Sequence, residues 1–137
     1  MTEERKDIVS LDFSELQSLM GELGEPKFRA KQVYEWIHKK LVKSYDEMTN
    51  VPLALRNKLK ERLPFTEITE VARKDSASGD TSKFVFKLYD GYVIESVLMK
   101  YRYGNSVCIS SQVGCRMGCT FCASTLLGLS RQLAPSE

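Results

Sequence analysis

Three cysteines, Cys115, Cys119 and Cys122, stand at C-x3-C-x2-C on a short segment that also carries Gly114 and Gly118. A tight glycine-bearing loop can turn all three sulfurs toward one centre, which suits an iron–sulfur cluster. A cubane holds four irons and is usually bound by four thiolates, so a loop offering three leaves one iron open as a reaction site. Zinc is the competitor, but structural zinc sites are closed by four ligands and typically built from two paired halves. There is no second pair here, and the single histidine, His38, is far away in sequence. A disulfide framework fits poorly, because no secretory leader is visible and three crowded cysteines cannot all pair with one another. The cluster is the preferred reading; zinc and plain buried thiols are the alternatives.

Two more residues could do chemistry. Residues 92–100 alternate, with Tyr92, Ile94, Ser96 and Leu98 on one face and Val93, Glu95, Val97 and Met99 on the other. Glu95 is thus an acid among apolar neighbours. It is either a strand residue pointing at solvent or a sheltered carboxylate whose proton affinity is raised by desolvation. Cys108, the fourth cysteine, lies in a predicted strand over 105–111; taken alone it reads as a small buried hydrophobe.

The elements that must position these residues follow from periodicity. Residues 1–11 show none and are expected to begin disordered. Asp12 or Ser14 can cap a helix with Leu16, Leu19, Met20 and Leu23 at helical spacing and Gly24 as its stop. Pro26 can open a second helix, whose expected buried stripe is Phe28, Val33, Trp36, Ile37 and Leu41. That stripe is core packing, and His38 is a surface or boundary residue. Residues 44–50 suggest a short helical turn, and Pro52 opens a third helix carrying Leu55, Leu59 and Leu63. After Pro64 the period changes to two: a strand with Ile68 and Val71, a polar loop over 76–80, a strand with Phe84, Phe86 and Leu88, and a hairpin at Asp90-Gly91. A helix is expected from Thr125, although Gly128 interrupts it. The expected fold is α+β: a helical bundle over 1–64, an antiparallel hairpin region over 65–100, and from 101 to 137 the first strand and cysteine loop of an incomplete (βα) partial barrel.

Composition is that of ordinary globular material, with 42% hydrophobic residues and a net charge of +2. Residues 26–63 hold ten bases against four acids, while residues 1–25 hold two against seven. A basic helical segment can follow a phosphate backbone, though exposed lysines are more often a solvated face. No apolar run reaches the roughly 18 residues of a membrane span, so a cytoplasmic protein is expected, where thiols stay reduced.

C-x3-C-x2-C with Phe121 before the last cysteine resembles the signature of radical S-adenosylmethionine enzymes. The longer string from Ser110 to Ser124, SSQVGCRMGCTFCAS, followed by residues 128–133, GLSRQL, resembles the RlmN family of dual-specificity ribosomal and transfer RNA adenine-C2 methyltransferases. The resemblance covers essentially the whole chain; Gln132 departs from the more usual asparagine or aspartate. It implies a 4Fe-4S cluster on Cys115, Cys119 and Cys122 with S-adenosylmethionine on the open iron. It also implies 23S ribosomal RNA and transfer RNA as substrates, an electron donor such as flavodoxin, and an RNA-engaging role for the helical domain. Glu95, twenty residues before Cys115, matches the family's proton acceptor. Cys108, seven before it, matches the cysteine that releases product through a transient disulfide. That disulfide is with a methyl-carrying cysteine expected beyond Glu137, as are most cofactor contacts. The chain thus reads as the N-terminal part of a longer enzyme, inactive alone and poorly soluble through its exposed edges. The alternatives are a Cfr-type carbon 8 methyltransferase, or a non-catalytic RNA-binding module with a zinc-holding or empty cysteine loop.

Overall fold

Asp12 starts the first helix, α1 (Phe13–Glu22), through a capping box: its carboxylate accepts from the Glu15 backbone N–H at 2.8 Å, and the Glu15 side chain accepts from the Asp12 N–H at 2.9 Å. The chain turns at Gly24, whose φ of +70° suits glycine. Pro26 precedes α2 (Phe28–His38), and Pro52 precedes α3 (Leu53–Arg62), with a 3-10 turn at Tyr45–Glu47 between them. The computed structural model describes residues 6–66 and 68–137. The described residues divide into two compact units, one over 6–66 with Ala134–Ser136, the other over 68–133 with Glu137.

The first unit is built on the three helices. Leu16 and Met20 of α1, Val33 and Ile37 of α2 and Leu55 and Leu59 of α3 are buried together with Ile8, Met48 and Val51. The expected stripe on α2 needs correction at both ends. Ala30, Val33 and Ile37 are buried, whereas Phe28 is 56% exposed and Leu41 72% exposed. Phe28 lies two residues before Ala30 and so on nearly the opposite side of a helix with 3.6 residues per turn. Leu41 falls after the helix has ended, at a left-handed φ of +53°, where the i+4 step from Ile37 no longer applies. His38 packs on the Tyr34 ring.

The expectation of an irregular start covers residues 1–11, of which 1–5 lie outside the described residues. Residues 6–11 form neither helix nor strand, yet Asp7 is buried and well bonded. Its carboxylate accepts from the backbone N–H groups of Val9 and Ser10 and from the Ser136 hydroxyl.

The second unit holds a four-stranded antiparallel sheet in the order β1 (Thr69–Asp75), β2 (Thr81–Lys87), β3 (Val93–Tyr101) and β4 (Gly104–Ile109). A two-stranded pair, β5 (Gln112–Gly114) with β6 (Leu129–Gln132), follows. Every strand pairing among the described residues is antiparallel, and β4 is the edge strand next to β3. The helix expected from Thr125 is absent: a 3-10 turn at Ala123–Thr125 gives way at Gly128, φ +69°, to β6. Four more residues of strand paired with β5 replace the helix. Leu88, Ile94 and Val113 are buried, with Ile68, Phe86 and Leu133 packed on them. Arg131 braces this unit, forming a two-pronged ion pair with Glu137 at 2.6 and 2.7 Å and bonding Asp90 at 2.6 Å.

Candidate cluster loop and thiol–carboxylate face

The β3–β4 register decides where the two isolated reactive residues go. Val97 pairs with Cys108, and directly opposed residues of antiparallel strands point to the same side of a sheet. Glu95 lies two residues from Val97 along β3, so Glu95 and Cys108 share one face. Lys83 of β2, paired with Val97 from the other side, is on that face too, and its Nζ lies 2.7 Å from Glu95 Oε1. The Ser110 hydroxyl donates to the Glu95 carbonyl at 2.8 Å, tying the end of β4 to β3.

The sheltered reading of Glu95 is corrected by this geometry. Its side chain is 57% exposed, and Val93 on the same face is 50% exposed. The alternating pattern put apolar residues on both faces of β3, but burial falls on the Ile94 face. The Glu95 face is lined by the partly exposed stem of Lys83 in place of a core. Cys108 is exposed as well, so it is no buried hydrophobe.

Beyond β4 the chain runs through Ser110 and Ser111 into β5, and the three remaining cysteines occupy the loop between β5 and β6. Gly114 closes one end of that loop: its φ is +77°, and a Cβ placed there would lie 2.0 Å from the Gly128 carbonyl oxygen. Only glycine lets the two backbones approach so closely, and Cys115 N–H then donates to that carbonyl at 3.1 Å. Gly118, φ +71°, supplies the turn between the first two cysteines. Thr125 braces the rest. Its hydroxyl is 3.0 Å from the Cys119 carbonyl and 2.9 Å from that of Cys122, while Cys122 N–H donates to Cys119 O at 3.2 Å. Sequence reasoning missed Thr125; a hydroxyl three residues after a cysteine is the local side-chain-to-backbone pattern that could have shown it.

All four cysteines are free thiols, and Cys115, Cys119 and Cys122 are partly buried. The donor set fits an iron–sulfur cluster: three thiols on a loop tied at both ends and shaped by backbone bonds. The expected convergence of the sulfurs is not met, because among the described residues no three His, Cys, Asp or Glu side chains are grouped to hold a metal ion. Apolar side chains of the loop face outward: Met117 is 76% exposed, Phe121 90%, Leu126 81% and Leu127 95%. No helix among the described residues is long and apolar enough to cross a membrane.

Comparison with known proteins bears on the same residues. Residues 6–64, the span of the three helices, match the family described as ribosomal RNA large subunit methyltransferase N-terminal domain. A probable dual-specificity RNA methyltransferase RlmN of Lachnospira eligens is 57% identical over 131 residues, which is 96% of this chain and 37% of that protein. A Staphylococcus aureus protein of the same description is 53% identical over 134 residues, 98% of this chain and 36% of its own length. The chain thus spans little more than a third of these relatives. Among solved structures, a radical SAM methyltransferase from Sphaerobacter thermophilus superposes with a TM-score of 0.84 at 41% identity, covering 93% of this chain and 37% of that one. A matching domain, close relatives and a solved structure that agree over nearly all of its residues leave one conclusion: the chain belongs to the RlmN family.

Proposed function

We propose that these residues form the RNA-engaging and cluster-holding part of a radical S-adenosylmethionine methyltransferase. Its product would be adenosine methylated at carbon 2, in 23S ribosomal RNA and transfer RNA. One observation carries the reading: Cys108 and Glu95 share a sheet face, and the loop of Cys115, Cys119 and Cys122 follows β4 through the short strand β5. Carbon 2 of adenine is electrophilic and its hydrogen is not acidic, so polar transfer of a methyl cation has no nucleophile to work with. A 4Fe-4S cluster with S-adenosylmethionine supplies radical chemistry at such a carbon when bound.

The chain's own residues then have separate tasks. Cys115, Cys119 and Cys122 would hold three irons and leave the fourth for the cofactor. Glu95, kept in place by Lys83, presents an accessible carboxylate to take the proton from carbon 2. Cys108, exposed on the same face opposite Val97, offers a thiol for product release by disulfide formation. Its partner sulfur would be none of the other three, which are committed to iron. The helical unit, with ten bases over residues 26–63, would engage RNA phosphates, and the assembly would work in the cytoplasm with an electron donor such as flavodoxin.

Anaerobic reconstitution with iron and sulfide tests the reading directly. About four irons per chain are expected, lost on Cys115→Ala and retained on Cys108→Ala. Zinc bound without iron or sulfide would sink it. In the whole enzyme, Cys108→Ala is expected to trap a protein–RNA adduct, and unchanged turnover would remove its assigned role. Fragmentation of the methylated adenosine separates carbon 2 from carbon 8.

A further inference from the structure

The end of β3 and the turn into β4 carry Lys100, Tyr101, Arg102 and Tyr103 in succession. The rings of Tyr101 and Tyr103 lie parallel, with centroids 5.0 Å apart and planes 9° from each other. Tyr103 is 84% exposed, so the outer face of its ring is open to solvent. Exposed aromatic rings at a turn are normally lost to water; here two are pre-stacked, and the Tyr101 hydroxyl is bonded to Met99 Sδ at 3.4 Å, which fixes the inner ring. Gly104, φ +137°, lets the strand restart directly after the pair.

Charge at this end of the sheet is cationic. Arg73, Lys74, Lys100 and Arg102 stand there against Asp75 and Asp80, and Asp75 is already paired with Arg73 at 3.0 Å. Arg102 has no ion pair among the described residues. The position matters as much as the composition. Tyr101 is six residues from Glu95 along β3, so it points to the face that bears Glu95 and Cys108, and it pairs with Gly104, four residues before Cys108. Along a strand that separation is roughly 13 Å.

We propose that Tyr103, backed by Tyr101 and flanked by Arg102, is a stacking platform for an unpaired base of the RNA substrate, neighbouring the nucleotide that reaches Cys108 and Glu95. This rests on the RNA-methyltransferase reading and adds the point of contact to it. An open ring face accepts any base, and an adjacent cation follows the backbone, so the site takes single-stranded RNA and not duplex, whose bases are already stacked. It would hold a splayed loop in register while the target base is presented to the reactive face.

Binding of the 137-residue chain to a fluorescein-labelled single-stranded oligoadenylate of about ten nucleotides, and to a duplex RNA of equal length, tests it. Single-strand affinity is expected to fall about tenfold on Tyr103→Ala, to survive Tyr103→Phe, and to lose part of its salt dependence on Arg102→Gln. Duplex binding is expected to change little. Tyr103 is nearly all exposed, so the variants are expected to keep the unmodified circular dichroism. Equal losses for Tyr103→Phe and Tyr103→Ala would make the contact a hydroxyl bond and overturn stacking. Unchanged binding by Tyr103→Ala would overturn the platform while leaving the RNA reading intact. An unmodified chain that binds neither RNA would remove both, and the tyrosine pair would then be a surface for a protein partner.

Discussion

At the scale of single residues, the reactive groups were legible by type and spacing, but their surroundings were not. The spacing of Cys115, Cys119 and Cys122 favoured an iron–sulfur cluster over zinc or plain thiols, whereas Glu95 with valines on either side suggested shelter and turned out exposed. Alternation tells which residues share a face; it does not tell which face meets a core. Gly114 was legible as a loop glycine, but its backbone approach to Gly128 is visible only in the structure. Gly114→Ala is expected to cost at least about 2 kcal/mol, since a Cβ there collides with backbone that no side-chain movement can relieve. Chemical denaturation reads that loss. Thr125→Val removes the hydroxyl shared between the Cys119 and Cys122 carbonyls. About 1 kcal/mol and poorer iron retention after reconstitution are expected, with Thr125→Ser restoring both. Asp90 sets an acid limit. Partial burial would raise its pKa, but bonds from Arg131 and from the Tyr92 N–H outweigh this and bring it below the ordinary carboxylate range. A lowered folded value means that the stabilisation is complete above the unfolded pKa, near about 4, and is lost as pH falls through the folded one. Acid unfolding followed by the near-ultraviolet signal of the tyrosines is expected to lose part of that slope in Asp90→Asn.

At the scale of elements, the helices and hairpins with strong local signals were readable: the cap at Asp12, one of two candidates with Ser14, the prolines at 26 and 52, and Asp90-Gly91 all stand where the pattern allowed them. What failed was non-local. Nothing in residues 125–133 announces that Leu129, Arg131 and Gln132 pair with residues 112–114, because the partner is far in sequence and the strand is short. The pairing of β4 with β3 was equally hidden, and it leaves β4 as an edge. Val107 is 59% and Ile109 73% exposed on one face of that strand. Such an edge is a template for further pairing. Ile109→Lys is expected to reduce concentration-dependent association of the chain without altering its secondary structure, as sedimentation velocity would show.

At the scale of the whole molecule, burial is unevenly divided. The helical unit holds eleven buried apolar residues among those described, and the sheet unit three. Each unit's resistance to opening follows its own core, so amides of α1, α2 and α3 are expected to exchange more slowly than those of β5 and β6. Leu59→Ala in the larger core is expected to cost about 2–5 kcal/mol, readable by denaturation of the helical signal. The β5–β6 pairing has one more consequence. Bringing the ends of a flexible segment together costs about (3/2)RT ln n of chain entropy for n residues. Here the ladder and the Cys115 to Gly128 bond meet that cost through the backbone alone. The three thiols are tethered at a high effective concentration with respect to one another. Metallation then becomes a short local search by sulfurs on a leash, first order in protein, in place of the folding of an open chain around its ion.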